Sequence, residues 1–394
     1  MKKVTTVLLS AAVCATLANA DKIEHVFEQP KDTSAFNGVE FNWNADLTFN
    51  YQGLDQTYGT DLKAGLSLPT ANLDVNAKVL SGFNVKLETM LSSHHHHETF
   101  VKGGHATIDN LDFVSPGFGA GFMENATIRV GVNDVNFGDA HFRRTDNADV
   151  MRNPFISNLG VESYMQAGFL EVLYRLPSAN MFVLGGISNG EVNPDDVKDG
   201  TGKDAYSFYG KVGYDSQITN DTRVRLTESL FFVEDTSKNR LYMGDKAGGV
   251  AREIFGSADF GATWNALAGY KDLTASMTNL FIKCHDTEFF GLVEYAEGAN
   301  QSNEDFEMLH YSAEVVQRFS GDKFWAAARY ENAVVEREGD SLDDELTQYQ
   351  VGLGWFLSKN AVMKAEYIKQ ERENMAAYPG AKFDGFMISA ALSF

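Results

Sequence analysis

The residues best suited to act on a solute lie in the segment Asn136–Glu162, which mixes charges of both signs with apolar side chains. Its charged members include His141, Arg143, Arg144, Arg152, Asp139, Asp146 and Asp149. Phe142, Pro154 and Phe155 lie among them. A loop that folds into a water-filled lumen needs apolar anchors against the wall and charges that face the passing solute. We therefore predict a constriction loop, with an exposed surface loop as the alternative.

A second set of charges lies on the polar faces of segments in which apolar and polar residues alternate. The basic members are Arg129, Lys211, Arg223, Arg225, Arg329 and Lys364, and the acidic members are Glu40, Asp46, Glu88, Glu314, Glu331 and Glu366. In a β-barrel these faces point to the lumen, where walls of mixed charge favour polar solutes over apolar ones. Cross-strand salt bridges with no role in selectivity are the alternative interpretation.

Four adjacent histidines form a third candidate site, a weak one for a metal ion: His94, His95, His96 and His97. Imidazoles bind zinc, copper or nickel, but adjacent histidines in a loop rarely complete a four-ligand site. A solvated loop is the alternative, and we assign no metal and no cofactor. The sequence contains no phosphate-binding Gly-rich loop and no His-Glu-x-x-His motif. We therefore expect no enzymatic activity, and a barrel hydrolase is kept as a further alternative.

The elements that would position these residues are long amphipathic strands. From Val39 to Gln52, apolar residues occupy every odd position and polar residues every even one. At about 3.3 Å per residue this segment is a strand of about 46 Å, far longer than an average strand of five or six residues. Because one face is wholly apolar and the other wholly polar, the segment is typical of a strand between lipid and water.

Fifteen further segments show the same alternation and complete a predicted set of sixteen strands. They are Leu73–Val79, Phe83–Met90, Phe100–Ile108, Ala126–Val135, Ser163–Leu176, Met181–Ser188, Tyr206–Tyr214, Thr222–Val233, Ile254–Leu267, one segment within Leu273–Tyr295, Leu309–Phe319, Phe324–Val335, Thr347–Leu357, Ala361–Lys369 and Phe383–Phe394. Four strands instead of two within Ile254–Tyr295 would make eighteen. All seven Pro are expected outside strands.

The connections predict the fold class. Short ones such as Ser81–Gly82 alternate with long polar ones such as Asn189–Asp204 and Glu336–Leu346. This is the layout of an all-β, transmembrane antiparallel β-barrel with short periplasmic turns and long outer loops.

The amino-terminal region predicts export. Lys2 and Lys3 precede the apolar stretch Val4–Leu17, and Ala18-Asn19-Ala20 offers small residues for cleavage. We divide the chain into a signal peptide (1–20), an N-terminal periplasmic tail (21–37) and a transmembrane β-barrel (38–394). Removal of two Lys changes the formal net charge from −21 to −23, which disfavours nucleic acid as a partner. Cys284 is then the single cysteine, so no internal disulfide is expected.

The features between Leu73 and Arg144 resemble the phosphate-selective porin group and related porins of Gram-negative bacteria. They are the turn Leu80-Ser81-Gly82-Phe83, the strand Ala126–Val132 containing Arg129, and the step Asn136-Phe137-Gly138. The chain departs from that group in its acidity and in lacking a dense basic ladder, so phosphate selectivity does not follow. The resemblance implies a homotrimer.

These patterns predict a porin in the bacterial outer membrane, cleaved near Ala20, for passive diffusion of small hydrophilic solutes or ions. Further expected partners are outer-membrane lipid, lipopolysaccharide bound through the acidic loops, and the barrel-assembly machinery, which would recognise the terminal strand ending in Phe394. A non-transporting structural or surface barrel is the alternative. Because loop charges are screened beyond about 8 Å, we expect the basic constriction to outweigh the acidic loops in selectivity.

Overall fold

The computed structural model describes residues 25–91, 99–145, 151, 153–189, 205–236, 241–242, 250–256, 263–267, 269–375 and 380–394. Three sets of predicted features lie outside these residues and stay predictions. They are the signal peptide, the candidate metal ligands His94, His95, His96 and His97, and the residues Asp146, Asp149 and Arg152 of the candidate constriction loop.

The described part of the chain contains sixteen strands. They are β1 Glu40–Gln56, β2 Gly65–Leu80, β3 Phe83–Leu91, β4 Thr99–Ile108, β5 Ala126–Asp134, β6 Gln166–Leu176, β7 Met181–Ser188, β8 Ser207–Thr219, β9 Thr222–Val233, β10 Tyr270–Cys284, β11 Thr287–Asn300, β12 Asp305–Phe319, β13 Phe324–Arg337, β14 Asp344–Ser358, β15 Ala361–Glu373 and β16 Lys382–Ser393. Each strand pairs antiparallel with its neighbours in sequence, and β1 pairs with β16 to close the barrel. The predicted sixteen-strand antiparallel β-barrel is confirmed.

Alternation along each strand separates an outer apolar face from an inner polar face. On β1, Phe41 and Trp43 point outward and are 63% and 65% exposed, whereas Asp46 and Asn50 point inward and are fully buried. Val351 and Leu353 on β14 are exposed outward in the same way. Lipid satisfies no backbone hydrogen bond, so a closed ladder with an apolar exterior is the arrangement in which strands can cross a membrane.

Two strand assignments made from the sequence are wrong, although the total is correct. Ile254–Leu267 is not a strand: residues 254–256 form a short 3-10 turn, and residues 263–267 are irregular. Leu273–Tyr295 contains parts of two strands, β10 and β11, which are joined by the tight turn His285–Asp286. His285 adopts a left-handed conformation (φ 55°) there, so the chain reverses without the Gly or Pro that marks most turns.

Pro69 also departs from the prediction, because it lies within β2. The register between β1 and β2 shifts at this position, between Thr48 and Asn50. A bulge is where a missing backbone donor is tolerated in a ladder.

Most short connections lie at one end of the barrel, here called the turn end, and most longer ones at the other, the loop end, which also carries the short connection 301–304. The turn end carries residues 81–82, 177–180, 220–221, 285–286, 320–323 and 359–360. One turn-end connection, residues 109–125, is longer and includes the four-residue helix α1 (Ala120–Met123). No helix in the described ranges has the length and apolar character to cross a membrane. The loop end carries the two longest connections, residues 135–165 and 234–269.

The two faces of β2 provide a test of the barrel. Leu73 points outward and is exposed, whereas Asn76 lies on the inner face and lines a cavity. Leu73→Arg should lower the free energy of unfolding by about 2–4 kcal/mol if it meets the bilayer midplane, because it places a charge in lipid. Asn76→Arg should cost much less because its side chain meets water. Urea unfolding in lipid vesicles measures both, and equal losses would contradict the assignment of faces.

Candidate functional site: the barrel lumen

The connection between β5 and β6, residues 135–165, is here called the inner loop. Its described residues, 135–145, 151 and 153–165, lie inside the barrel and are anchored through their backbone. Glu366 on β15 accepts hydrogen bonds from the amides of Ile156 (2.6 Å) and Ser157 (3.1 Å). Glu331 on β13 accepts bonds from the amides of Gly160 (2.7 Å) and Val161 (2.8 Å). Buried backbone donors need acceptors, and a carboxylate is a strong one. The two wall carboxylates therefore hold the loop in place.

Apolar side chains of the inner loop pack on the same wall. Phe155 is fully buried in a cluster that includes Trp325 and Val316. The indole Nε1 of Trp325 donates to the carbonyl oxygen of Pro154 at 3.0 Å. The structure thus places Pro154 and Phe155 as apolar anchors inside the barrel, as the sequence predicted for an inward-folded loop.

Asp139 of the inner loop is bound by two wall cations. Lys211 on β8 lies 2.9 Å from its Oδ1, and the guanidinium Nε of Arg225 on β9 lies 2.8 Å from its Oδ2. All three side chains are buried. Burial alone would raise the pKa of Asp139, but the charges of Lys211 and Arg225 outweigh it and hold that pKa well below its usual range. Asp139 therefore stays ionised and binds both cations, which Glu28 also contacts.

Arg143 and Arg144 are paired with carboxylates inside the barrel. The guanidinium of Arg143 contacts Glu314 on β12, whose other oxygen lies 2.7 Å from Arg329 on β13. Arg144 binds Glu162 of the same loop, with Nε 2.8 Å and Nη2 3.0 Å from its two carboxylate oxygens. Both arginine side chains are buried, and each is bound by a carboxylate inside the barrel.

His141, the remaining described basic candidate of the loop, is uncharged at neutral pH. Burial, reinforced by the charge of Lys211, lowers its pKa to about 4. Its ring lies against Phe142, with centroids 3.9 Å apart. Its Nε2 is 3.7 Å from Asp134 at the end of β5.

The other basic residues predicted on the wall also have partners. Arg129 on β5 binds Glu171 on β6 at 2.7 Å. Arg223 on β9 binds Asp215 on β8 at 2.7 Å. Lys364 on β15 donates to the carbonyl oxygens of Asn153 (2.7 Å) and Phe155 (3.2 Å) in the inner loop. The structure thus brings the loop and wall candidates together on the side of the lumen formed by β8–β15, with Arg129 on the opposite side.

The described residues of a second loop between β9 and β10 (234–236, 241–242, 250–256, 263–267 and 269) include several that lie in the lumen, and the sequence did not predict this. The hydroxyl of Tyr242 donates to Glu294 on β11 at 2.6 Å. Ile254 and Phe255 pack against residues of β1, β15 and β16 in one apolar cluster, and the amide of Trp264 donates to the carbonyl oxygen of Gly160 at 2.6 Å. The apolar residues of Ile254–Leu267 suggested a strand. The same residues could have indicated a loop that is buried in the lumen.

Residues 25–34 of the predicted N-terminal tail lie inside the barrel at its turn end and form what we call the strap. The imidazole of His25 lies 2.8 Å from Glu288 on β11. Glu28 binds Arg225 at 2.9 Å, and Asp32 binds Lys78 on β2 at 2.9 Å. Phe27 packs on the guanidinium of Arg225, 4.2 Å from ring centroid to Cζ. The strap follows the inner wall from β11 round to β2.

An open cavity of about 640 Å³ is left between the strap, the start of the inner loop and the wall formed by β1–β6. Its lining includes Asn42, Asn76 and Lys86 from the wall, Glu28 from the strap and His141 from the inner loop. The cavity is thus bounded mainly by polar and charged side chains.

The anchoring of the inner loop can be tested at Glu366. Glu366→Ala should lower the free energy of unfolding by about 1–3 kcal/mol, because it leaves buried backbone donors without an acceptor. The same change should make the inner loop sensitive to protease in the folded barrel. Glu366→Gln keeps a carbonyl acceptor and should retain most of the protection.

Glu371→Ala is the matched control on the same strand. Its carboxylate binds Lys369 and Lys382 in a partly exposed ion-pair group, so its loss should cost under about 1 kcal/mol and leave the loop protected. Protection of the loop in Glu366→Ala equal to that in this control would contradict the anchoring role.

The barrel is similar in fold to solved outer-membrane proteins. The outer membrane channel DcaP of Acinetobacter baumannii matches with a TM-score of 0.58 and 11% identity, covering 93% of this chain and 100% of that chain. OmpT, an outer membrane protein of Vibrio cholerae in trimer form, matches with a TM-score of 0.56 and 14% identity, covering 91% and 100%. An anion-selective porin from Comamonas acidovorans matches with a TM-score of 0.55 and 11% identity, covering 90% and 100%.

At these identities the similarity shows a shared fold alone, and at that level the predicted resemblance to outer-membrane porins is confirmed. No protein-family model matches the chain, and comparison with curated proteins finds no related sequence.

Proposed function

We propose that this chain is an outer-membrane porin, a water-filled channel through which small hydrophilic solutes or ions diffuse passively. The observation that carries the proposal is the polar cavity of about 640 Å³ inside a sixteen-strand barrel. A barrel of this size is too wide for wall side chains alone to fill. The inner loop covers the β8–β15 side of the lumen, and the cavity lies between it, the strap and the β1–β6 wall.

The way the inner loop is held supports a channel. Its backbone donors are bound by Glu331 and Glu366 and its charges by Glu314 and Lys211. Such a loop narrows the lumen in a defined position, as a constriction must if it is to discriminate between solutes. The solved structures with a similar fold include a channel and a porin, which supports this function.

A non-transporting barrel is the second candidate, and the apolar packing in the lumen favours it. Phe137, Phe231 and Met277 belong to one buried cluster that joins the inner loop, the second loop and the wall. A lumen sealed by such packing would stabilise a structural or surface protein without passing solutes. The cavity beside the polar β1–β6 wall supports the channel, whereas this apolar packing supports the non-transporting barrel.

The location and assembly of the protein are part of the same proposal. We place it in the bacterial outer membrane after signal-peptide cleavage near Ala20, as a homotrimer without enzymatic activity. Its expected partners are small hydrophilic solutes or ions, outer-membrane lipid and lipopolysaccharide, and the barrel-assembly machinery. The exposed apolar faces of the strands and the trimer form of one similar structure support this placement.

Electrical recording across a planar lipid bilayer tests the channel. The purified full-length protein should produce discrete current steps in KCl. Asn76→Trp should reduce the size of each step because it adds a large side chain to the cavity wall. Val75→Trp, which adds the same side chain to the outer face of β2, should leave the step size unchanged. Absence of steps from correctly folded protein would contradict the channel and favour the non-transporting barrel.

A further inference from the structure

Acidic residues outnumber basic residues in the lining of the cavity, and this excess indicates which charge of solute the cavity favours. Among the described lining residues there are eight carboxylates and three Lys or Arg side chains. Several of the carboxylates are compensated at the strap: Glu28 by Arg225, Asp32 by Lys78, and Asp109 by Lys31 at 3.7 Å. The excess negative charge therefore lies on the barrel wall opposite the inner loop.

On that wall, four carboxylates share two cations. Lys86 lies 3.3 Å from Asp74 and also binds Glu88. Arg129 lies 2.7 Å from Glu171 and 3.8 Å from Asp134. Each group of three therefore carries one negative charge in excess.

The neighbours of these groups do not remove the excess. Asp46 and Lys102 both act electrostatically on Asp74, and their opposite charges cancel. Glu40, at the start of β1, also lines the cavity and is exposed. On the inner faces of β1–β6, six carboxylates therefore stand against the five basic residues Lys78, Lys86, Lys102, Arg129 and Arg175, and Lys78 is itself bound to Asp32 of the strap. The described part of this wall is net negative.

An independent feature is that two buried side chains among those that line the cavity have acceptor atoms without a hydrogen-bond donor. Asp74 is 1% exposed, and its Oδ1 has no hydrogen-bond partner. Both ring nitrogens of His141 lack a partner as well, in a side chain that is almost fully buried and lines the same cavity. A neutral imidazole has one acceptor nitrogen. Acceptors left in this way are expensive unless a bound donor satisfies them.

The basic residues that could have opposed this charge are bound by carboxylates on the other side of the lumen. Arg144 binds Glu162, and Lys211 and Arg225 bind Asp139 and Glu28. Arg143 and Arg329 share Glu314, so the positive charge that remains in this group lies at β12–β13, away from the β1–β6 wall. Carboxylates within a few ångströms of a solute also act inside the screening length of about 8 Å at physiological salt.

We propose that the cavity is a cation-selective binding site for organic cations with ammonium or guanidinium groups, and that Asp74, Glu88, Asp134 and Glu171 determine this selectivity. Such groups carry the positive charge that the wall lacks and the N–H donors that Asp74 and His141 lack. This inference rests on the proposed channel function and departs from the sequence-based expectation of a basic constriction.

Reversal potentials in a KCl gradient test the selectivity with the full-length protein. The wild type should favour K⁺ over Cl⁻, and Asp74→Asn with Asp134→Asn should reduce the K⁺/Cl⁻ permeability ratio several-fold. Asp340→Asn with Asp343→Asn is the matched control, since it removes two carboxylates from the connection between β13 and β14 at the loop end. At high salt the control should leave the ratio nearly unchanged. Anion preference of the wild type, or equal shifts in the two variants, would overturn the proposal.

Current block in the unaltered protein provides a second measurement that does not depend on a variant folding. Arginine amide, which carries a guanidinium and an ammonium group, should block the K⁺ current in a concentration-dependent manner. N-acetylcitrulline amide, a neutral solute of similar size, should not. Equal effects of the two solutes would overturn the binding site but not the channel. Absence of any current from folded protein would overturn the channel itself, and the selectivity with it.

Discussion

The pairing of β1 with β16 is the interaction on which the rest of this structure depends. Residues Asp46–Gln56 of β1 align with Phe383–Ser393 of β16, so the sheet has no free edge. In lipid an unpaired edge would leave a row of backbone donors and acceptors unsatisfied, each at a cost of several kcal/mol. Closure at sixteen strands also determines the width of the lumen, which wall side chains alone cannot fill. Other segments of the chain must therefore fill the part of the lumen that the wall side chains leave empty.

Three segments lie in the lumen: the inner loop, the second loop and the strap. Charged residues of the wall bind their backbone amides and their charged side chains. Carboxylates suit this task because one side chain can accept from two successive backbone amides, as Glu331 does for Gly160 and Val161. The same carboxylate lies 3.2 Å from His310, which in turn binds Glu294 at 3.0 Å. Charges buried in this way must be paired, since a lone buried charge is strongly destabilising. On the β8–β15 side of the lumen the charged residues therefore hold the loops against the wall.

The fold was largely predictable from the sequence because a barrel strand repeats every two residues and needs no distant information. The two-residue repeat gives a wrong prediction where a segment is apolar because it is buried inside the barrel and not because it is a strand. Ile254, Phe255 and Trp264 have the composition of a lipid-facing strand, but they pack inside the barrel. Phe142, Pro154 and Phe155 predicted an inward loop because apolar residues in a polar connection need a surface to cover. The partners were not predictable: Arg143 and Glu314 are 171 positions apart, and one sequence does not show which wall carboxylate a loop arginine will meet.

Arg225 shows why lumen charge cannot be deduced from strand faces alone. Its guanidinium reaches Asp139 of the inner loop, Glu28 of the strap and Asp215 of the wall. Two of these three carboxylates come from segments outside the barrel strands. A basic residue on a polar strand face is thus converted into part of a neutral or negative group by the segments that fold against it. The sign of the field that a solute meets is therefore set by the inner loop and the strap together with the wall, and a change in either segment could alter it without any change in the barrel.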